Sequence, residues 1–481
     1  MDVVLKYLGY VLILFSFMPI LPFVSAIILH EDFMLFFVPS IISLFVGFLL
    51  LVLTSKAKGG VGQLTIQRSI ALTALSFMVM PLLGSLPFMI ELNSPALDCI
   101  FESYSGFTTT GLTVLGSLED IPRSLLLWRA ETQWIGGLGI VLFALLVILR
   151  LRERSPEVFS TRAKALVSLY RAQGATEKLE PSIRQSVKKT ILIYLTYTFL
   201  GAVLLFIAGM GAFEGLSMAM TSVSTGGFIV WDTLNLDLAS MIVLSLLMII
   251  GATSFVIHNR IFRLDLKEVL KSYECRVFAV LIVAASLLSV LALGDIKSGI
   301  FHAISAITTT GYALADISAM PYIAIVILAC CMIIGGAVGS TAGGIKVLRF
   351  GLLMKSIHWT IRKISNPSRA VITLKVEGKE VEQATLVMAQ VFVFLYILVL
   401  FVGTMVLLAF GNGFLDSSFQ MVSALGTVGL QTIPALASLN AFCKIVLIIA
   451  MVLGRLEIFP VLVLFKFFAD KAKERLRKQK Y

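Results

Sequence analysis

Four short segments of the chain combine hydroxyl side chains with glycine in a pattern that suits one kind of chemistry. Phe101–Gly111 reads FESYSGFTTTG, Leu216–Gly226 LSMAMTSVSTG, Phe301–Gly311 FHAISAITTTG and Phe419–Gly429 FQMVSALGTVG. In each, a large apolar residue sits ten positions before the glycine, and Thr precedes the glycine in all but the last, which has Val428. A dehydrated cation needs a ring of backbone carbonyls in place of its water shell. Such a backbone path calls for φ > 0, which glycine adopts at little cost. Threonine adds hydroxyl acceptors. One such segment alone would read as a polar turn at a helix end. Four in register argue for a shared role. The gaps between glycines are 115, 85 and 118 residues, so the repeat is a divergent one and not a solenoid.

The elements that must carry these segments are membrane spans. Of 481 residues, 58% are hydrophobic and 14% charged, against about 25% charged in an average soluble domain. That excludes an ordinary soluble enzyme and a disordered chain. Ten apolar runs approach the length of about 20 residues that a bilayer requires: 7–29, 33–53, 70–92, 126–149, 187–209, 238–257, 277–294, 321–350, 386–410 and 440–467. Lys6 before the first run suggests a signal peptide, but Pro19 and Pro22 interrupt it and a second run follows after His30, Glu31 and Asp32. A retained helical hairpin is expected. With the N-terminus inside, the inner segments hold 34 Lys and Arg and the outer ones four, which splits the formal charge of +11 into +21 inside and −10 outside. This asymmetry places both termini in the cytoplasm. Each of the four segments then falls on the outer side between two spans. A ten-residue apolar run is too short to cross, so each is expected to be a re-entrant half-helix followed by an extended strand, with the negative end of its dipole toward the pore.

Two further features stand out. The run 321–350 is interrupted by GGAVGSTAGG, residues 335–344, where Gly335, Gly336, Gly339, Gly343 and Gly344 flank Ser340 and Thr341. A stretch this rich in glycine is a poor helix. Close packing of small residues is one reading; an intramembrane loop beneath the four segments, acting as a movable gate, is the better one. A phosphate-binding loop is excluded because Ile345 separates Gly344 from Lys346. Arg455 lies within the last run, where a charge requires water or a partner. Either it lines the cavity and opposes cations, or it pairs with a carboxylate of another helix; the first is favoured. Gly136, Gly137 and Gly139 within Trp134–Phe143 suit close helix packing. The outer acids Glu102, Glu119, Asp120, Asp232 and Asp316 read either as a cation-concentrating mouth or as loop solubility. The five cysteines and four histidines are scattered, so neither a disulfide framework nor a metal centre is indicated. No catalytic cluster emerges, and an enzyme is not expected.

FTTTG, VSTGG, ITTTG and GTVGL resemble the four selectivity-filter segments of the Trk/Ktr/HKT superfamily of potassium transporters. WIGGLGIVLF (134–143), GGAVGSTAGGIK (335–346) and GRLEIFP (454–460) are similar to further signatures of its TrkH-type members, and the likeness covers essentially the whole chain. The resemblance implies an all-α polytopic membrane protein: ten transmembrane helices and four re-entrant pore loops, in pseudo-fourfold helix–pore loop–helix repeats. The expected division is an N-terminal hairpin (1–67), repeat 1 (68–150), a basic loop and repeat 2 (151–260), repeat 3 with the gate loop (261–360), and repeat 4 with a basic tail (361–481). The resemblance implies potassium, the substrate and not a cofactor, held by carbonyls of Thr109, Thr110, Ser224, Thr225, Thr309, Thr310, Thr427 and Val428, with Gly111, Gly226, Gly311 and Gly429 shaping the path. It implies gating by the 335–344 loop and Arg455. It further implies a homodimer in the bacterial inner membrane over a TrkA-type nucleotide-binding cytoplasmic subunit, for which the basic stretches 150–189 and 355–385 are candidate docking sites; contact with lipid head groups is the alternative. No nucleic-acid partner is expected. Gly at 111 favours potassium, and Gly111→Ser is expected to admit sodium. Val428 departs from the Thr pattern and is expected to weaken binding. A sodium-selective or sodium-coupled transporter of the same fold is the competing reading.

Overall fold

A computed structural model describes residues 2–55, 65–153, 183–367, 372–433 and 435–478. The described residues are mostly helical, with one short antiparallel hairpin among them, β1 (Lys375–Val376) and β2 (Lys379–Glu380). The helices are α1 (Asp2–Phe15), α2 (Ile20–Leu29), α3 (Met34–Leu53), α4 (Ile66–Gly84), α5 (Leu86–Glu91), α6 (Ala96–Phe107) and α7 (Arg123–Glu153). Then come α8 (Ile183–Ile207), α9 (Ala212–Val223), α10 (Leu238–Gly251), α11 (Phe255–Phe262), α12 (Leu266–Lys271), α13 (Tyr273–Leu293) and α14 (Ile296–Ile307). The rest are α15 (Tyr322–Ile334), α16 (Val347–Ile364), α17 (Gln383–Ala409), α18 (Phe414–Gly426), α19 (Ala441–Arg455) and α20 (Phe459–Lys478).

Among the described residues, six helical stretches are long and apolar enough to cross a membrane, or up to eight if each of two sharply bent pairs is one span. Their outer faces carry large apolar side chains that water would not tolerate in such number: Phe199, Phe206 and Ile207 on α8, Val280 and Leu291 on α13, Phe394 and Phe401 on α17. The N-terminal hairpin is a close pair. A Cβ on Gly9 of α1 would lie 2.9 Å from the Gly47 carbonyl of α3, and one on Gly47 the same distance from the Gly9 carbonyl. Small residues let two apolar helices approach to backbone contact, as membrane helices commonly do.

The four expected half-helices are α6, α9, α14 and α18, of 12, 12, 12 and 13 residues. At 1.5 Å per residue each is about 18 Å long, well short of a bilayer core of about 30 Å. Each lies between two helical stretches, the one before α6 being the span Gln67–Glu91 made of α4 and α5, giving four helix–half-helix–helix units.

Two expected spans turn sharply between two helices. The run 238–257 bends by 109° between α10 and α11, and 440–467 bends by 102° between α19 and α20. Local chemistry explains both. Ser254 takes an extended conformation and caps α11 through the Val256 N–H at 3.4 Å. Glu457 and Ile458 stand in the left-handed region with φ of 60° and 54°, which no helix can accommodate. The third interruption, at 335–346 between α15 and α16, is the one legible from glycine content.

Candidate functional site

The four half-helices end alike. The Thr109 N–H donates to Gly106 O at 2.8 Å and the Thr110 N–H to Ser105 O at 2.8 Å. The matching pairs at the other three ends are Thr225 to Ser222 and Gly226 to Thr221; Thr309 to Ala306 and Thr310 to Ser305; Thr427 to Ala424 and Val428 to Ser423. This is the Schellman pattern, whose left-handed residue is usually glycine. Here it is threonine each time, with φ of 53°, 51°, 56° and 51° at Thr109, Thr225, Thr309 and Thr427. A β-branched residue in that region is a true outlier, at about 1–3 kcal/mol each. Fourfold repetition of one strained conformation marks a position where the hydroxyl and the carbonyl direction matter more than local ease.

These hydrogen bonds also fix the register of the four strands. Thr110, Gly226, Thr310 and Val428 occupy one level, and the next level is Gly111, Gly227, Gly311 and Gly429, with φ of 82°, 79°, 89° and 102°. The second segment is therefore offset by one residue from its sequence alignment. Gly227, and not Gly226, is the counterpart of Gly111, and Ser217 rather than Leu216 matches Phe101. Sequence comparison misses this because the second segment ends in two glycines, and only φ distinguishes them.

The strands close into a ring. A Cβ on Gly111 would strike the Gly226 carbonyl, one on Gly227 the Thr310 carbonyl, one on Gly311 the Val428 carbonyl, and one on Gly429 the Thr110 carbonyl. Each glycine thus abuts the carbonyl of the next strand, in the order 1–2–3–4–1. Here the absence of a side chain is imposed both by φ and by space. The ring is sealed between its first and last units by the buried Lys444–Asp98 pair at 2.5 Å, which joins α19 to α6.

At the half-helix end of the ring lies the 335–346 loop. Its Gly343 N–H donates to Thr309 Oγ1 at 2.7 Å, and its Thr341 hydroxyl accepts from Thr225 Oγ1 at 3.2 Å. A Cβ on Gly343 would meet Thr427 Oγ1. The loop therefore underlies three of the four strained threonines. The hydroxyls of Thr109 and Thr427 have no hydrogen-bond partner among the described residues although both are buried. Within the loop, Ser340 donates to the Ala337 carbonyl at 2.6 Å, while Gly335, Gly339 and Gly344 take positive φ. A Cβ on Gly336 would press into Ala342. The break between α10 and α11 meets the loop here: Ala337 N–H bonds Ala252 O at 2.9 Å, Thr341 N–H bonds Gly251 O at 3.1 Å, and Phe255 N–H bonds Gly339 O at 3.1 Å.

Arg455 is the last residue of α19, beside the bend and not in mid-helix. Its guanidinium donates to Thr341 O at 2.6 Å and to Gly136 O at 3.0 Å. Its hydrogen-bonding partners are carbonyls of the loop and of α7, where the competing reading expected a carboxylate. Glu457 instead pairs with Arg349, which stacks 4.1 Å over Phe392. Lys346 reaches back to the Ala342 carbonyl. Three buried cations, Lys346, Arg349 and Arg455, thus anchor the loop and its flanks.

A layer of side chains behind the strands went unrecognised in the sequence. Glu102, read there as either a mouth acid or a solubilising loop acid, is fully buried; it pairs with Arg129 at 2.7 Å and accepts from the Val114 N–H at 3.2 Å. His302 takes the same place in repeat 3, accepting from the Leu314 N–H at 3.1 Å. A hydroxyl recurs at Ser105, Thr221, Ser305 and Ser423, five residues before each ring member, and this signal was present in the sequence. Of the other acids, Asp232 holds the Leu118 N–H at 2.5 Å and Asp316 caps a short turn through Ser318, while Glu119 and Asp120 are exposed. Of the glycines of Trp134–Phe143, Gly136 and Gly137 pack closely, while Gly139 meets only Phe77 at 3.9 Å. A Cβ on Gly136 would strike the Phe107 carbonyl, and Gly251 and Gly454 press likewise on Val223 and Leu425. Most of the basic stretch 150–189, namely 154–182, falls outside the described residues, as do 368–371 of the stretch 355–385.

Fold and centre together define a class: a helical membrane transport protein in which four helix–pore loop–helix units converge on one ring. The chain matches the TrkH family of cation transport proteins over residues 33–475 and belongs to it. An uncharacterized cation transporter of Methanocaldococcus jannaschii is 29% identical over 483 residues, covering 99% of this chain and 97% of that protein. The Trk system potassium uptake protein TrkH of Escherichia coli K12 is 29% identical over 489 residues, covering 96% and 97%. The crystal structure of the potassium transporter TrkH from Vibrio parahaemolyticus matches with a TM-score of 0.83 at 27% identity, covering 96% of this chain and 98% of that one.

Proposed function

We propose that the protein takes up potassium through a single-subunit pore whose selectivity filter is the four-strand ring. The observation that carries this reading is the closed cycle of glycine-to-carbonyl contacts above four left-handed threonines. Strained threonine stands at every strand, and two of its hydroxyls have no hydrogen-bond partner among the described residues, where a dehydrated cation would supply one. The binding residues are Thr109, Thr110 and Gly111; Ser224, Thr225, Gly226 and Gly227; Thr309, Thr310 and Gly311; Thr427, Val428 and Gly429. Names of relatives as potassium transporters support the choice of ion. The 335–346 loop acts as the gate: it underlies three filter threonines and is held by Arg455, whose charge opposes a cation at that level. A TrkA-type nucleotide-binding subunit beneath a homodimer regulates it, in keeping with the Trk-system names of the relatives. The protein sits in a bacterial inner membrane with ten spans and both termini cytoplasmic, a placement supported by the inner excess of basic residues.

The test is rescue of a potassium-uptake-deficient bacterium at low potassium, with a TrkA-type partner co-expressed and rubidium and sodium supplied in parallel. Growth on potassium and uptake of rubidium are expected. Sodium uptake unaffected by potassium would move the assignment to a sodium transporter; no uptake by a folded complex would overturn it.

A further inference from the structure

The ring is fourfold in backbone but not in what backs it. Three residues before the glycine that presses on each half-helix end, or that opens the 335–344 loop, stand Gln133, Met248, Met332 and Met451, all fully buried. Methionine and glutamine have nearly the same shape, so one polar side chain replaces an apolar one at a single member of the set. Both heavy atoms of its amide are hydrogen-bonded. Nε2 donates to the Gly226 carbonyl at 2.6 Å, and Oε1 accepts from the Phe228 N–H at 3.0 Å. The amide orientation is fixed by these partners, one an obligate acceptor and the other an obligate donor. Gly226 is also the one glycine at its level, where the other strands have Thr110, Thr310 and Val428. A Cβ there would strike the Gln133 amide, so the glycine makes room for the glutamine.

We propose that Gln133 and Gly226 form a unit that weakens one filter ligand: Gln133 is a positioning residue that draws on the Gly226 carbonyl and lowers its availability to the permeating cation. This rests on the filter reading above. A carbonyl already accepting a short hydrogen bond offers less charge to an ion, so the ring has three full ligands and one reduced one. The consequence is looser binding and faster release.

Two variants separate this from a scaffold role. Gln133→Met restores the side chain used in the other three units and removes both hydrogen bonds. Gln133→Leu likewise removes both hydrogen bonds, with a branched apolar side chain. Both should lower the half-saturation concentration for rubidium uptake by roughly three- to tenfold, the range of one neutral hydrogen bond, with a lower maximal rate and a changed sodium competition. The double variant Gln133→Met with Gly226→Thr, which restores the common pattern, should fold and keep the tighter binding. Unchanged half-saturation and sodium competition in variants present at wild-type level would overturn the proposal. So would failure of both single variants to reach the membrane, which would make Gln133 structural. A wild-type complex that transports no potassium would refute the filter reading itself, and is visible before any variant is measured.

Discussion

Repeats 1 and 4 meet in the ring as equals, yet their supports differ. Behind strand 1, Glu102 is locked by Arg129 and holds the Val114 N–H, and Arg129 reaches on to the Ile229 carbonyl at 3.0 Å and stacks 4.1 Å over Phe228. One buried ion pair therefore ties strand 1 to the loop after strand 2. At the equivalent place behind strand 4, Gln420 is fully buried with neither amide atom hydrogen-bonded among the described residues, and after the strand the same holds for the Gln431 side-chain amide oxygen and the Thr432 hydroxyl. Despite this, strand 4 adopts the same Schellman end, the same left-handed threonine and the same glycine contact. The ring geometry is thus set by the backbone, and the layer behind it is free to differ from one unit to the next.

This contrast can be broken at several points. The largest effect is expected in the ring itself. Gly311→Ala or Gly429→Ala places a Cβ against a neighbouring carbonyl at positive φ and should abolish rubidium uptake in either repeat; an effect confined to one of the two would refute the equality of the strands. Next is the support of strand 1. Arg129→Leu leaves Glu102 buried without its partner and should destabilise the protein by about 3–5 kcal/mol, measured as thermal unfolding in detergent. The proposed gate comes third. Arg455→Ala removes one charge near the path, an interaction of about 1–4 kcal/mol between water-like and intermediate dielectric, and should raise uptake several-fold without loss of selectivity; reduced uptake in a folded variant would contradict the gating role. Smallest is the support of strand 4. Gln420→Met should change stability by no more than about 1 kcal/mol, since no hydrogen bond is lost. A loss as large as that of Arg129→Leu would erase the proposed difference between the two repeats.

Much of the architecture was legible because membrane proteins write it in coarse signals. Apolar runs, the charge split and four hydroxyl–glycine segments located the half-helices, and five glycines between 335 and 344 announced the loop. What escaped were features without a composition signal. Nothing in Glu457 and Ile458 advertises a left-handed bend, because these residue types ordinarily avoid it. Glu102 looked like a surface acid because its partner Arg129 lies 27 positions away on another helix. Arg455 looked stranded because its partners are backbone carbonyls, which every residue has.

The sequence by itself determined that the chain is built for a membrane and which four segments form its centre; cation transport entered through the resemblance of those segments to a family to which the chain belongs. These follow from the bilayer, which admits only long apolar helices and tolerates irregular backbone solely where it is enclosed. Only the tertiary structure decided the register of the second strand, the left-handed conformation of four threonines, and the loop beneath them. Those depend on contacts among residues more than a hundred positions apart, such as Thr341 with Thr225 and Arg455 with Thr341, and on a ring that closes only when all four strands are present.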